Sequence, residues 1–222
     1  HMGKYETAIA DMQKAIQIDG NTELACNILG NLYYQLKKYD SALQNYSKAL
    51  QLAGDDAQIY FNRANTYRDD NNPQAALADY NKAISLSPKY FEAYNNRGSI
   101  YLSLTNYESA LKDFSQAVSL NPDHAFAFYN RGNTYFKMDN KKAAIADWSR
   151  AIELEPEQSM FYLNRANAYS LLGEYDLAAQ DLKKASQLQP DMGSTYFNLG
   201  NIYYTQKDYA QAIDNFNKAL EL

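Results

Sequence analysis

Cysteine occurs once in the 222 residues, at Cys26. A single thiol excludes an internal disulfide and leans toward a reducing compartment, so a cytoplasmic location is expected. Histidine is nearly absent: besides His1 there is only His124. One cysteine and one histidine far apart cannot supply a metal cluster or a nucleophile–base pair. No catalysis, metal or cofactor is therefore expected. No apolar run approaches the ~18 residues that a membrane span needs, and no signal peptide is visible, so no membrane partner is expected. His1–Met2 is read as a cloning scar and set aside. Excess positive charge is missing as well. A formal net charge of −5 argues against a nucleic-acid backbone as partner. Apolar residues are not lacking: 46% hydrophobic and 14% aromatic content is ample for burial and excludes a disordered chain.

What is present is a motif that recurs. Phe128–Asn133 reads Phe-Tyr-Asn-Arg-Gly-Asn, with variants beginning at Tyr60, Tyr94, Tyr162 and Tyr196 and a weaker copy at Cys26, each 34 residues after the last. A fixed period of this length decides the fold before any single-domain reading. With the Gly or Ala of the motif numbered as repeat position 8, the units are 23–56, 57–90, 91–124, 125–158, 159–192 and 193–222. Residues 3–22 carry only the second half of the pattern, with Tyr5, Ala8, Met12, Ala15 and Ile18 in the expected places. The chain is thus expected to begin in mid-repeat.

Tyrosine holds position 11 in every unit, from Tyr33 to Tyr203, and alanine holds positions 20 and 27. Position 24 is large: Tyr46, Tyr80, Phe114, Trp148, Leu182 and Phe216. Position 32 is Pro88, Pro122, Pro156 and Pro190, with Gly54 in the first full unit; proline stops a helix. Positions 4, 7, 8 and 11 share one helical face, as do 20, 24, 27 and 28. Each unit reads as two amphipathic helices, A then B, joined by a tight turn near positions 15–16. No strand-like alternation appears, so the class is all-α.

This spacing resembles the tetratricopeptide repeat (TPR), over essentially the whole chain. The resemblance implies a right-handed superhelical solenoid of antiparallel helix pairs, with the A helices lining a concave groove. Pro73 and Lys141 stand at position 17 where the family has tyrosine, and are expected to loosen the A–B turn there.

Position 7, usually apolar in the family, is Arg63, Arg97, Arg131 and Arg165. The same units carry Asp79, Asp113, Asp147 and Asp181 at position 23, whereas Leu29 and Leu199 go with Asn45 and Asn215. The matching predicts an Arg–Asp bridge between the helices of one unit, partly buried and bidentate. The alternative is that these arginines bind an acidic ligand.

The face of helix A opposite the core carries two rows of asparagine. Position 6 is Asn62, Asn96, Asn130, Asn164 and Asn198; position 9 includes Asn65, Asn133, Asn167 and Asn201. A carboxamide offers an acceptor and donors in one plane, matching a peptide bond. Neighbouring A helices ~10 Å apart span about three residues of extended chain at ~3.3 Å each. The row is therefore expected to grip an extended peptide backbone, and it resembles the ladder that lines the repeat superhelix of O-GlcNAc transferase. The alternative is that these asparagines are solvated or bonded within the array. Net bonds of ~1 kcal/mol each cannot alone give specific binding. Candidate apolar anchors are Phe126, Tyr129, Phe136, Met160, Leu163, Phe197 and Tyr204; the alternative is that such aromatics pack on neighbouring repeats.

The expected function is a protein-interaction scaffold that binds an extended, partly apolar peptide. Two other readings stand beside it: a substrate-recruiting part of a larger enzyme, and self-association through the array ends, where Ile213, Phe216 and Leu220 should expose apolar surface. A clamp for acidic chaperone tails is disfavoured, because bases are missing at positions 2 and 5.

Overall fold

The computed structural model describes residues 2–19 and 22–222. Every regular element among them is helical: α1 (Met2–Asp19), α2 (Glu23–Gln35), α3 (Tyr39–Ala53), α4 (Ala57–Asp69), α5 (Pro73–Leu86), α6 (Phe91–Ser103), α7 (Tyr107–Leu120), α8 (Ala125–Lys137), α9 (Lys141–Leu154), α10 (Ser159–Leu171), α11 (Tyr175–Leu188), α12 (Gly193–Thr205) and α13 (Tyr209–Glu221). His1 and the side chains of Tyr5, Ala15 and Ile18 lie outside the described residues. The chain divides into two compact units, His1–Leu104 and Thr105–Leu222. In the first, α2 pairs with α3 and α4 with α5, and α4 also packs on α3. In the second, α8 pairs with α9, α10 with α11 and α12 with α13, each pair stacking on the next. The even-numbered helices are the A helices of the repeat and the odd-numbered ones are the B helices.

Local chemistry sets the ends. Asn72, Asn106, Asn140 and Asp208 cap the B helices, each side-chain oxygen accepting from the backbone N–H three residues on at 3.2 Å. Such caps satisfy donors that a helix cannot satisfy itself. B helices α5, α7, α9 and α11 stop two residues before their prolines. Between A and B the chain turns through a left-handed residue: Lys37, Asn71, Thr105, Asp139, Gly173 or Lys207, with φ between 56° and 78°. The next N–H then closes back on the carbonyl of the position-11 tyrosine, as from Lys38 to Tyr33 at 2.9 Å and from Asn72 to Tyr67 at 2.8 Å. This closure is a Schellman arrangement.

The turns before Pro73 and Lys141 are not loosened. Asn71 and Asp139 have φ of 58° and 61°, matching their counterparts, and Asn140 N–H closes on Tyr135 at 2.9 Å. Pro73 is the first residue of its helix, where no N–H is needed and its fixed φ suits the backbone.

Small residues let each pair close. The position-24 rings Tyr46, Tyr80 and Trp148 are buried under position 8. A Cβ on Gly30 would fall 2.5 Å from the Tyr46 ring, and one on Gly132 would fall 2.8 Å from Trp148. Cys26 is also buried in this layer, and burial pushes its thiol above its ordinary pKa. No described helix is long and apolar enough to cross a membrane.

Candidate functional site

Where the arginines point decides between a structural and a ligand-binding role for them. Arg63 donates from Nε and Nη2 to both oxygens of Asp79 at 2.6 and 2.8 Å. Arg131 does the same to Asp147 at 2.7 and 2.7 Å, and Arg165 to Asp181 at 2.7 and 2.7 Å. Each aspartate side chain is at most 9% exposed. The third nitrogen reaches back one repeat, from Arg63 to Ser47 at 3.0 Å and from Arg165 to Ser149 at 2.8 Å. Aromatic residues flank the guanidinium: Tyr60 and Tyr67 around Arg63, and Tyr162 and Tyr169 around Arg165. Hydrogen bonding to Asp79 and Asp147 raises the pKa of Arg63 and Arg131 above the ordinary value. These three arginines are consumed by their own repeats and are not offered to an acidic ligand. Arg97 and Asp113 belong to different compact units.

The asparagine rows do not behave uniformly. In α4 and α6 they bond to one another. Asn62 donates to Asn27 at 3.4 Å and accepts from Gln58 at 3.0 Å. Asn96 donates to Asn65 at 2.9 Å and accepts from Asn95 at 3.3 Å. Asn65 also accepts from the buried Tyr80 hydroxyl, so both lone pairs of its oxygen are used. Close by, Tyr34 donates to Asp69 at 2.5 Å, and Asp69 also accepts from Arg68 at 2.8 Å. Burial, with this bond to Asp69, pushes the Tyr34 phenol up to about 12.

In α8 the pattern repeats. Asn133 accepts from Trp148 Nε1 at 3.1 Å and from Asn164 at 2.9 Å, and Asn164 also donates to the Tyr129 hydroxyl at 3.0 Å. Asn130 is half-buried. The network then ends. Asn167, Asn198 and Asn201 are exposed. Their carboxamides have no hydrogen-bond partner among the described residues, and neither does the Asn164 side-chain oxygen.

The apolar candidates divide the same way. Phe126 and Tyr129 are half-buried against Phe161, with ring centroids 5.4 and 4.9 Å away. Phe136 lies 5.6 Å from Trp148, and Leu163 packs on the α10–α12 core. Met160, Phe197 and Tyr204 remain 43, 53 and 62% exposed. Free carboxamides and exposed apolar side chains thus come together on α10 and α12. Sequence reading weighted the asparagines alike, and the signal that separates them is position 24 of the partner helix, where Leu182 offers no donor. It also missed His124, whose Nδ1 caps α8 by accepting from the Ala127 N–H at 3.0 Å.

The tetratricopeptide repeat family model matches residues 21–89 and 157–222, and related repeat models match 125–158, 98–139, 79–112 and 1–22. No curated protein matches. Among solved structures, a MamA protein is 27% identical, covering 74% of this chain and 90% of that one at a TM-score of 0.70. YrrB, described as "a TPR protein with an unusual peptide-binding site", is 25% identical over 79% of this chain and 91% of its own, also at 0.70. The C-terminal part of a TPR repeat-containing protein from Cytophaga hutchinsonii covers 99% of this chain and 90% of its own at 18% identity and a TM-score of 0.81, a likeness of fold.

Proposed function

As a member of the tetratricopeptide repeat family, the chain is a protein–protein interaction scaffold, and we propose that it holds an extended peptide along the asparagine-bearing face of α10 and α12. One observation carries this reading: the carboxamides of Asn167, Asn198 and Asn201 are exposed and unbonded among the described residues, while Asn62, Asn65 and Asn96 in α4 and α6 are held in hydrogen bonds to neighbouring side chains. A planar amide pairs with a backbone amide whatever the side chain, so these groups supply grip without sequence preference. Met160, Phe197 and Tyr204 supply the apolar contacts that such bonds cannot. Asn62, Asn96 and Asn130 contribute less, since their side chains are half-buried or already engaged. The peptide-binding site of YrrB, a protein of similar repeats, supports the class of ligand.

The test is a displayed library of random peptides selected on the chain. Enriched peptides are expected to bind the Asn198→Ala/Asn201→Ala variant with about 2 kcal/mol less free energy, roughly 30-fold in Kd. Thermal melting should not change, because both side chains are exposed. No enrichment, or equal binding by the variant, would sink the reading.

A second reading, association between copies, is favoured by one feature. An apolar groove of about 610 Å³ lies between α12 and α13, lined by Gly193, Phe197, Phe216, Ala219, Leu220 and Leu222. Leu220 is 86% exposed. Exposed contiguous apolar surface of this kind marks interaction sites. Sedimentation velocity at increasing protein concentration checks it. A mass that rises with concentration, and that Leu220→Lys returns to the monomer, is the expected result. A constant monomer mass removes this reading.

A further inference from the structure

The repeat of α10 and α11 differs from those of α2–α3, α4–α5 and α8–α9 at the place where the B helix meets the asparagines. In the first full repeat the buried Tyr46 hydroxyl donates to Asn31 at 2.7 Å. In the next, Tyr80 donates to Asn65. In the repeat of α8 and α9, Trp148 donates to Asn133, and Asn164 of the following helix ties Asn133 to the Tyr129 hydroxyl. Shifting that last network by one 34-residue repeat replaces Trp148 with Leu182 and Tyr129 with Leu163, while Asn133 and Asn164 become Asn167 and Asn198. Both groups that bonded the asparagines are gone, and the asparagines remain.

The missing ring leaves space. A cavity of about 150 Å³ sits between α10, α11 and α12, with Leu163, Leu182 and Ile202 as apolar walls and Asn167, Asn198 and Asn201 around it. An apolar cavity of about that volume holds one benzene ring. The asparagines are exposed, so it is reached from the face assigned above to the peptide.

We infer that this cavity is a receptor for a tyrosine side chain of the bound peptide, whose phenol takes the place that Tyr46, Tyr80 and Trp148 fill from within in three other repeats. The inference rests on the peptide-binding reading for the source of that side chain. The chemistry is specific to a phenol. Its O–H donates to the Asn167 oxygen as Tyr46 donates to Asn31, and its oxygen accepts from Asn198 as Tyr129 accepts from Asn164. A phenyl ring fills the space but leaves both carboxamides unanswered, and unanswered polar groups beside a buried ring disfavour it. The substitution that closes the site is already written in the chain. Tyr80 stands buried opposite Ala64, just as Leu182 stands opposite Ala166, so a tyrosine fits beside alanine at this position.

The probe is p-cresol, the tyrosine side chain without a peptide bond, titrated into the isotope-labelled chain and followed by NMR. Saturable shifts are expected at the carboxamides of Asn167 and Asn198 and the methyls of Leu182, in the low-millimolar range suited to so small a ligand. Toluene near its solubility limit should give at most about a tenth of the shift, the ratio set by the lost hydrogen bonds. Leu182→Tyr should abolish the shifts while leaving the rest of the spectrum dispersed. Asn167→Ala, which removes an exposed side chain and so does not threaten folding, should weaken p-cresol about tenfold. Absence of shifts in the pocket, or shifts that persist unchanged in both variants, overturns the inference. Peptides that still bind through Asn198 and Asn201 in that case leave the groove reading standing, so the two failures are told apart.

Discussion

Arg165→Ala is expected to cost about 3–5 kcal/mol, the penalty for leaving the partner of a buried ion pair alone. The magnitude follows from the surroundings. Arg165 is 18% exposed in its side chain and Asp181 is 8% exposed. Two parallel bonds of 2.7 Å join them, and a third at 2.8 Å reaches Ser149 on the preceding repeat. Burial works against the guanidinium charge, yet the bonds to Asp181 outweigh it, and the pKa is raised above the ordinary value. Without the arginine, Asp181 stays buried and loses the donors that made its carboxylate tolerable there. Tyr162 and Tyr169 also lose the cation between them, at 5.9 and 5.8 Å from their ring centres.

A double variant, Arg165→Met with Asp181→Leu, should recover most of the loss, since no charge is then left buried. Urea unfolding followed by circular dichroism measures both. In a repeat array each repeat touches only its neighbours, so the first sign of Arg165→Ala should be faster amide exchange in α10 and α11. If the single variant costs under about 1 kcal/mol, the value typical of a solvated surface pair, the bridge holds nothing together.

Trp148→Ala is expected to be as damaging, at about 3–5 kcal/mol for a buried aromatic truncated to a methyl. The ring is 1% exposed and lies so close beneath Gly132 that no Cβ fits between them. Its Nε1 donates to Asn133 at 3.1 Å and to the Tyr129 carbonyl at 3.3 Å. Truncation therefore opens a cavity and also frees the oxygen that holds Asn164 in place. Trp148→Phe separates the two effects. It keeps most of the ring and loses the donor, and should cost about 1–2 kcal/mol, a lost hydrogen bond plus a small void. Urea midpoints read by circular dichroism report both variants, because the fluorescence of the single tryptophan is lost with it. Equal losses for Phe and Ala would mean that the indole N–H, and not the packing, carries the stability.

Sequence by itself determined the class, the helix pairs and the ion pairs. Those features are periodic and local. A proline at position 32, a Gly or Ala at position 8 and an arginine that always travels with an aspartate 16 residues on leave few physical alternatives. Asp79, Asp147 and Asp181 were legible because a charge on a core face must be answered nearby. The turns at Pro73 and Lys141 were misjudged by composition, since the backbone there is set by the left-handed residue before the cap and not by the side chain at position 17.

Which asparagines are available was decided only by tertiary structure. Asn65 and Asn167 occupy the same repeat position, yet one accepts from Tyr80 and Asn96 while the other accepts from nothing among the described residues. The difference lies in a residue 15 places away on another helix, and it takes effect only when the helices pack. The same holds for the aromatics. Phe126 and Phe197 each meet a neighbouring ring, Phe161 at 5.4 Å and Phe216 at 5.7 Å, yet the first is half-buried while the second stays 53% exposed. A hydrogen bond or a packed ring is a property of two chain segments at once, so no single stretch of sequence could have shown which of these groups was left for a partner.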